Sequence, residues 1–136
     1  MSRLAARCGA ALTGLVLGLV LTGCGDSGDS AVEAVAGDLL EATITGDGQA
    51  ACEVLSPHTR DELEQSSGKP CERAILEESI GRGRTVREAQ VFETMAQVRF
   101  DDETVFLSRF DSGWLVVATA CTPRPEGPYD CSVSGV

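Results

Sequence analysis

The sequence predicts an α+β domain in which N-terminal helices pack on one face of a curved, four-stranded antiparallel meander. Apolar residues recur at three- and four-residue spacing through the first half of the domain, which is typical of amphipathic helices. Residues 85–120 are rich in β-branched and aromatic residues, with short polar breaks between them. All six aromatic residues of the chain follow residue 90. The apolar stripes of the helices need a partner, and one face of the sheet supplies it.

The start of the chain has the pattern of an export signal. Arg3 and Arg7 precede an uncharged stretch, residues 8–25, that is dense in leucine and valine. A positive start followed by a short apolar segment is typical of a secretory signal. The stretch also lies near the lower length limit for crossing a bilayer as a helix. A retained transmembrane anchor is therefore the alternative on hydropathy alone.

The apolar stretch ends in Leu21-Thr22-Gly23-Cys24. This tetrapeptide resembles the lipobox of bacterial lipoprotein signal peptides. The resemblance implies that residues 1–23 are a cleaved signal peptide and that lipid on Cys24 holds the protein at the extracytoplasmic face of the cell membrane. Two acyl chains are enough for stable anchoring. Residues 24–30 then form the lipidated cysteine and a flexible linker of glycine, serine and aspartate.

The chain is acidic. Its net charge is −10, and removal of the signal peptide with Arg3 and Arg7 changes this to −12. Such a charge argues against a nucleic-acid partner and against anionic lipid head groups. It leaves two interpretations of the surface, a solvated acidic exterior or a site for a cationic partner.

Four cysteines remain after Cys8 leaves with the signal peptide and Cys24 takes lipid. They are Cys52, Cys71, Cys121 and Cys131. An even number in an exported domain indicates two disulfides, for which three pairings exist. Proximity in the sequence favours Cys52–Cys71 and Cys121–Cys131. A zinc site of four cysteines is the alternative, but none of the cysteines stands in a C-x-x-C pair, and we predict no metal and no cofactor.

Helix boundaries are marked by caps and breakers. Ser30 and Glu33 form a capping box before the first apolar stripe, which Gly46-Asp47-Gly48 ends. A short second helix carries Cys52. The third and fourth helices are expected to open at Ser56-Pro57 and at Pro70, with Gly81 as the last C-cap.

Four strands are expected near 85–93, 95–101, 104–110 and 113–120. The connections between the later strands are short and polar, so sequential strands should pair as an antiparallel meander. The tail after residue 121 contains three prolines and is a poor central strand. The Cys121–Cys131 bridge would fold this tail back onto the domain.

Helices followed by a four-stranded meander are similar to the NTF2-like, cystatin-like superfamily. The likeness is narrower to small uncharacterised lipoproteins of that type, and it covers most of the mature chain. We therefore expect residues 31–136 to form a single NTF2-like domain. The segments that carry it are Asp47-Gly48, Ala51-Cys52, Leu55-Ser56-Pro57, Thr59-Arg60, Glu62-Leu63-Glu64, Gly68-Lys69-Pro70-Cys71, Gly113-Trp114, Cys121-Thr122-Pro123 and Pro128-Tyr129-Asp130-Cys131. The resemblance implies a fold but no particular chemistry.

Two candidate binding surfaces stand out. Aromatic side chains on the strands are candidates to line the cone-shaped cavity of NTF2-like folds, although plain core is the simpler interpretation: Phe92, Phe100, Phe106, Phe110 and Trp114. Arg82, Arg84 and Arg87 form a basic cluster that could grip an anionic group of a protein partner. The simpler interpretation of this cluster is a solvated turn that neutralises Glu77, Glu78 and Glu88.

The sequence contains few residues or motifs that are typical of a catalytic site. His58 is the only histidine and is expected at an exposed helix start, and no Gly-x-Ser-x-Gly motif is present. Asp101-Asp102-Glu103 lacks EF-hand spacing and is typical of an acidic hairpin turn. We therefore predict a non-catalytic binding or protein-interaction module. The alternatives are a carrier or sensor of a small apolar ligand in the cone and, third, an enzyme of the isomerase or cyclase type.

Overall fold

The computed structural model describes residues 27–135. The predicted signal peptide (1–23), its transmembrane alternative, Cys24 and the start of the predicted linker lie outside the described residues. Within 27–135, no helix is long and apolar enough to cross a membrane.

The described chain begins with four helices. They are α1 (Ser27–Thr45), α2 (Gly48–Glu53), α3 (Pro57–Ser67) and α4 (Cys71–Glu77). Helix α1 starts at Ser27, within the segment assigned to the linker and one turn before the expected cap at Ser30. Asp29 lies in its first turn, where a carboxylate interacts favourably with the helix dipole.

The later helix boundaries follow the caps in the sequence, except that α4 ends with Glu78 as its C-cap, before the cap expected at Gly81. The Asp47 carboxylate accepts a hydrogen bond from the Ala50 amide at 3.0 Å, and the Ser56 hydroxyl accepts one from the Thr59 amide at 3.2 Å. Gly68 ends α3 in the left-handed conformation, with φ of 66°.

The second half forms one open antiparallel sheet of five strands in sequential order. They are β1 (Glu88–Phe92), β2 (Met95–Arg99), β3 (Thr104–Phe110), β4 (Gly113–Thr122) and β5 (Asp130–Ser134). The prediction of four strands is therefore wrong in number, because part of the tail adds a strand to the edge. The prolines of the tail precede β5 in the sequence, so its backbone donors remain available to β4.

The inner face of the sheet, which we define as the face covered by the helices, carries the core. Helix α1 lies against β1 to β4. Eight core side chains from α1 and the strands are at most 1 % exposed: Val32, Ala36, Leu39, Leu40, Val98, Val105, Leu107 and Val116. The Val116 backbone also bonds to the segment between α2 and α3, since its amide donates to Val54 and its carbonyl accepts from Ser56, both at 2.8 Å.

Two disulfides staple the two layers separately. Cys52–Cys71 joins α2 to α4, and Cys121–Cys131 joins β4 to β5, with Cα–Cα distances of 6.2 and 4.0 Å. This is the pairing favoured by proximity. The first bridge lies where α2 and α4 are very close, since a Cβ on Gly48 would lie 1.9 Å from the Glu72 carbonyl oxygen.

Candidate functional site

The face of the sheet opposite the helices, which we call the outer face, carries several large apolar side chains. Ala96 and Val98 point into the core, so their neighbour Met95 points outward. Met95 pairs with Phe92 on β1 and with Ser108 on β3, which places these residues on the same face. Phe110 follows two residues after Ser108 and therefore shares it. No described helix covers this row.

A groove of about 610 Å³ lies on the outer face. Strands β2 to β5 form its floor, and the segment between β4 and β5 forms one wall. Its lining is mainly apolar and comprises Met95, Phe106, Val117, Ala118, Pro128, Tyr129, Asp130, Cys131 and Ser134. The rings of Phe106 and Tyr129 meet edge to face, with centroids 5.0 Å apart and an interplanar angle of 78°.

The structure does not bring the five proposed cavity residues together, and Phe110 is 40 % exposed at the end of β3. Phe100 is buried in the core at 4 % exposure, and Trp114 is partly buried and packs against the core at the other end of the sheet. Phe92 is 58 % exposed at the end of β1. Only Phe106 lines the groove, on the face away from the helices.

The physical reason is a change of parity between neighbouring strands. In β2 the even-numbered residues, such as Val98, face the helices. In β3 the odd-numbered residues, such as Leu107, face them. The turn at 100–103 makes this change, so Phe100 and Phe106 point to opposite faces. Register shifts around Phe106 alter the alternation again between β3 and β4.

The basic cluster and the acidic turn, two separate candidates in the sequence, meet in space. Arg87 pairs with Asp101, and Arg84 pairs with Glu41 of α1. The Arg82 amide donates to the Asp102 carboxylate at 3.0 Å. Two of the acids expected to neutralise the cluster have another partner, since Glu88 pairs with Arg99 at 3.0 Å and Glu77 pairs with Lys69. The charges of Arg84 and Arg87 are therefore already balanced within the domain.

Glu103, which the sequence placed in an acidic hairpin turn, is a buried carboxylate. It is 5 % exposed. One of its oxygens accepts from the Gly81 amide at 2.6 Å, and the other accepts from the Thr119 hydroxyl at 3.0 Å. Burial raises the pKa of Glu103, the negative charge of Asp102 adds to this, and the hydrogen bonds from Gly81, Thr119 and the Ala120 amide oppose it.

Glu103 also borders a smaller cavity of about 280 Å³ together with Phe100. A buried carboxyl with a raised pKa beside a cavity is what acid–base catalysis requires. Both of its oxygens, however, are held by internal donors, which is typical of a carboxylate that fastens one segment to another. Here it fastens the Gly81 segment to β4.

The remaining candidates stay apart. His58 is exposed in the first turn of α3. The carboxylates of the acidic turn contact arginine and backbone amides, as described above. Across residues 27–135, no group of three or more histidine, cysteine, aspartate or glutamate side chains is placed to hold a metal ion.

The groove was missed at the sequence level because its wall comes from the proline-rich tail. Tyr129, one residue from β5, was the available signal: an aromatic residue between prolines and a bridged cysteine indicates a tail held against the domain. Comparison with known proteins adds no assignment, since no protein-family model, no curated protein and no solved structure matches the chain.

Proposed function

We propose that this chain is an exported bacterial lipoprotein, anchored through lipid on Cys24 at the extracytoplasmic face of the cell membrane. The support is the Leu21–Cys24 motif after an apolar stretch, together with two disulfides in the domain that follows. Disulfides form and persist in oxidising compartments outside the cytoplasm. The helices followed by a meander support placing the domain with NTF2-like, cystatin-like folds.

The domain acts by binding rather than by turnover. The observation that carries this proposal is the apolar groove on the outer face. Exposed apolar surfaces of this kind, rimmed by polar residues, mark interaction sites. We assign the groove to apolar side chains of a protein partner, with Phe106 and Tyr129 as the aromatic anchors. The acidic surface argues against nucleic acid as that partner.

The volume of the groove supports a second candidate, a carrier or sensor of a small apolar ligand. Small-molecule sites measure about 300–1,000 Å³ and are mostly apolar with a few polar groups. The groove has this size, and Asp130 and Ser134 are its polar groups. The ligand would then lie on the outer face and not in a cone between helices and sheet.

An isomerase- or cyclase-type enzyme is the third candidate, because Glu103 is a buried carboxyl beside a cavity. The cavity beside it is about half the volume of the groove. A general base needs an oxygen that reaches the substrate, and here donors from Gly81 and Thr119 occupy both oxygens. Catalysis through this carboxyl would require a folded Glu103→Gln variant to lose turnover.

Anchoring is tested by Cys24→Ala in cells supplied with a labelled fatty acid. Wild type should take up the label and fractionate with membranes, and the variant should do neither. Cys8→Ala is the matched control, because Cys8 lies in the segment that is cleaved off. Label uptake by the Cys24→Ala protein would contradict the lipoprotein assignment.

Binding is tested with a photo-crosslinking residue in place of Phe106 in the membrane-bound protein. A discrete protein adduct that disappears with Tyr129→Ser supports a protein partner. The same crosslinker in place of exposed Gln49 on α2 is the control and should give no such adduct. Adducts confined to small apolar molecules would favour the carrier. Equal labelling from both positions would contradict the groove as the binding site.

A further inference from the structure

One end of the sheet concentrates the exposed apolar side chains. The turns at 93–94 and 111–112 lie at this end, which we call the anchor end. Phe92, Met95 and Phe110 flank these turns and are 58, 43 and 40 % exposed. They share the outer face, as shown above. Of the large apolar side chains of 27–135 that are this exposed, only Leu76 on α4 lies elsewhere.

The chain enters the domain at this same end. A Cβ built on Gly28, in the first turn of α1, would lie 3.8 Å from Cγ2 of Val91, the residue before Phe92. Four peptide units separate Cys24 from Gly28, and at full extension they span at most about 14 Å. A lipid on Cys24 therefore keeps the two turns within reach of the membrane surface.

We propose that the anchor end rests on the bilayer, with Phe92, Met95 and Phe110 in contact with the boundary between head groups and acyl chains. This inference rests on the anchoring proposed above. Because the tether holds the domain at high effective concentration, a few apolar side chains are enough to orient it. Apolar side chains at that boundary are the usual contact of peripheral membrane segments.

The charges at the anchor end define the kind of contact. Glu93 and Asp111 lie in the two turns, with Arg109 next to Phe110. The two carboxylates outnumber the single arginine, so this end of the domain is not attracted to anionic lipid and does not insert deeply into the bilayer. The contact is therefore shallow and best on zwitterionic lipid. The turn at 100–103 and the segment 123–129 lie at the opposite end of the strands and point away from the membrane.

The experiment places an environment-sensitive dye on Phe92→Cys in the lipidated full-length protein, bound to phosphatidylcholine vesicles that contain spin-labelled lipid. Glu126→Cys, exposed at the opposite end, is the matched control. Dye at position 92 should be quenched several-fold more strongly than dye at position 126. Equal quenching at both positions in vesicle-bound protein would overturn the proposal.

A second measurement avoids the extra cysteine. Amide hydrogen exchange of 92–95 and 110–113 should slow when the wild-type lipidated protein binds vesicles, whereas exchange of 123–129 should not. A Phe92→Ser, Phe110→Ser double variant should lose that protection while staying bound through its lipid. Unchanged protection in the variant would contradict the docking of these side chains. A protein that never associates with the vesicles would instead contradict the lipid anchor.

Discussion

Both faces of the sheet carry large apolar side chains, but only the inner face is covered by helices. On the inner face, Val98, Leu107 and Val116 are covered by α1 and have no exposed surface. On the outer face, Phe106 and Met95 line an open groove, and Phe92 and Phe110 stand in solvent. In β3, the adjacent residues Phe106 and Leu107 therefore lie in the groove and in the core, because their side chains point to opposite faces.

The difference shows why the apolar content of this sheet is not a measure of its core. The helical layer is short and covers only one face, so the outward aromatics contribute little to folding. An exposed apolar row of this kind is retained at a cost in solubility, which the strongly acidic composition offsets. Stability and binding should therefore respond separately to substitution on the two faces.

The sharpest test of this separation uses neighbouring residues of β3. Leu107→Ala removes a side chain with no exposed surface and should cost about 2–5 kcal/mol of unfolding free energy, because it leaves a cavity in the core. Phe106→Ala on the outer face should cost clearly less. Urea unfolding monitored by circular dichroism measures both. Equal losses would show that the outer face is part of the folding core.

The disulfides offer the next comparison. Replacing Cys52 and Cys71 by alanine frees α2 from α4 at two buried positions and should cost about 3 kcal/mol. Replacing Cys121 and Cys131 should cost less, because Cys131 is only half-buried and the bridge supports the groove wall at the sheet edge. Thermal unfolding of the two double variants gives the order. A larger loss from the second pair would make the tail a part of the core.

Much of the fold was accessible from the sequence because its signals are local. The strands near 95–101, 104–110 and 113–120 follow from β-branched runs between polar turns, and Ser56-Pro57 marks the start of α3 through its own side chain. Strand β5 was not accessible in this way. Its five residues follow a proline-rich segment, and its pairing partner lies across a loop.

The candidate site was less accessible because it depends on contacts between distant segments. Alternation along one strand says which side chains share a face, but not how a turn such as 100–103 changes parity for the next strand. Arg87 forms an ion pair with Asp101, and the Gly81 amide donates to the carboxylate of Glu103, 22 residues away in the sequence. Glu77, Glu78 and Glu88 are closer to the arginines in the sequence than Asp101 is. Tertiary packing determines which of these acids forms the ion pair.

Among the described residues, Glu103 is the one buried acidic or basic side chain, and it provides the smallest and most specific effect. Its folded pKa is raised above the ordinary value of 4.5. The protonated form is thus favoured in the folded state, so its contribution to stability is complete below about pH 4.5 and is lost as the pH rises through the folded pKa. Above that pKa the carboxylate is charged, and the Thr119 hydroxyl compensates part of its burial.

Thr119→Val removes this donor at a position with no exposed surface. A hydrogen bond to a charged group contributes about 1.5–3 kcal/mol, against about 0.5–1.5 kcal/mol for a neutral pair. The variant should therefore lose about 1.5 kcal/mol at a pH above the folded pKa of Glu103 and less at pH 4, where Glu103 takes up a proton. Urea unfolding at the two pH values measures the difference, and Thr119→Ser, which keeps the hydroxyl, should show little of it. An equal loss at both pH values would mean that Thr119 acts through packing, and that the charge of Glu103 has no part in holding the Gly81 segment to the sheet.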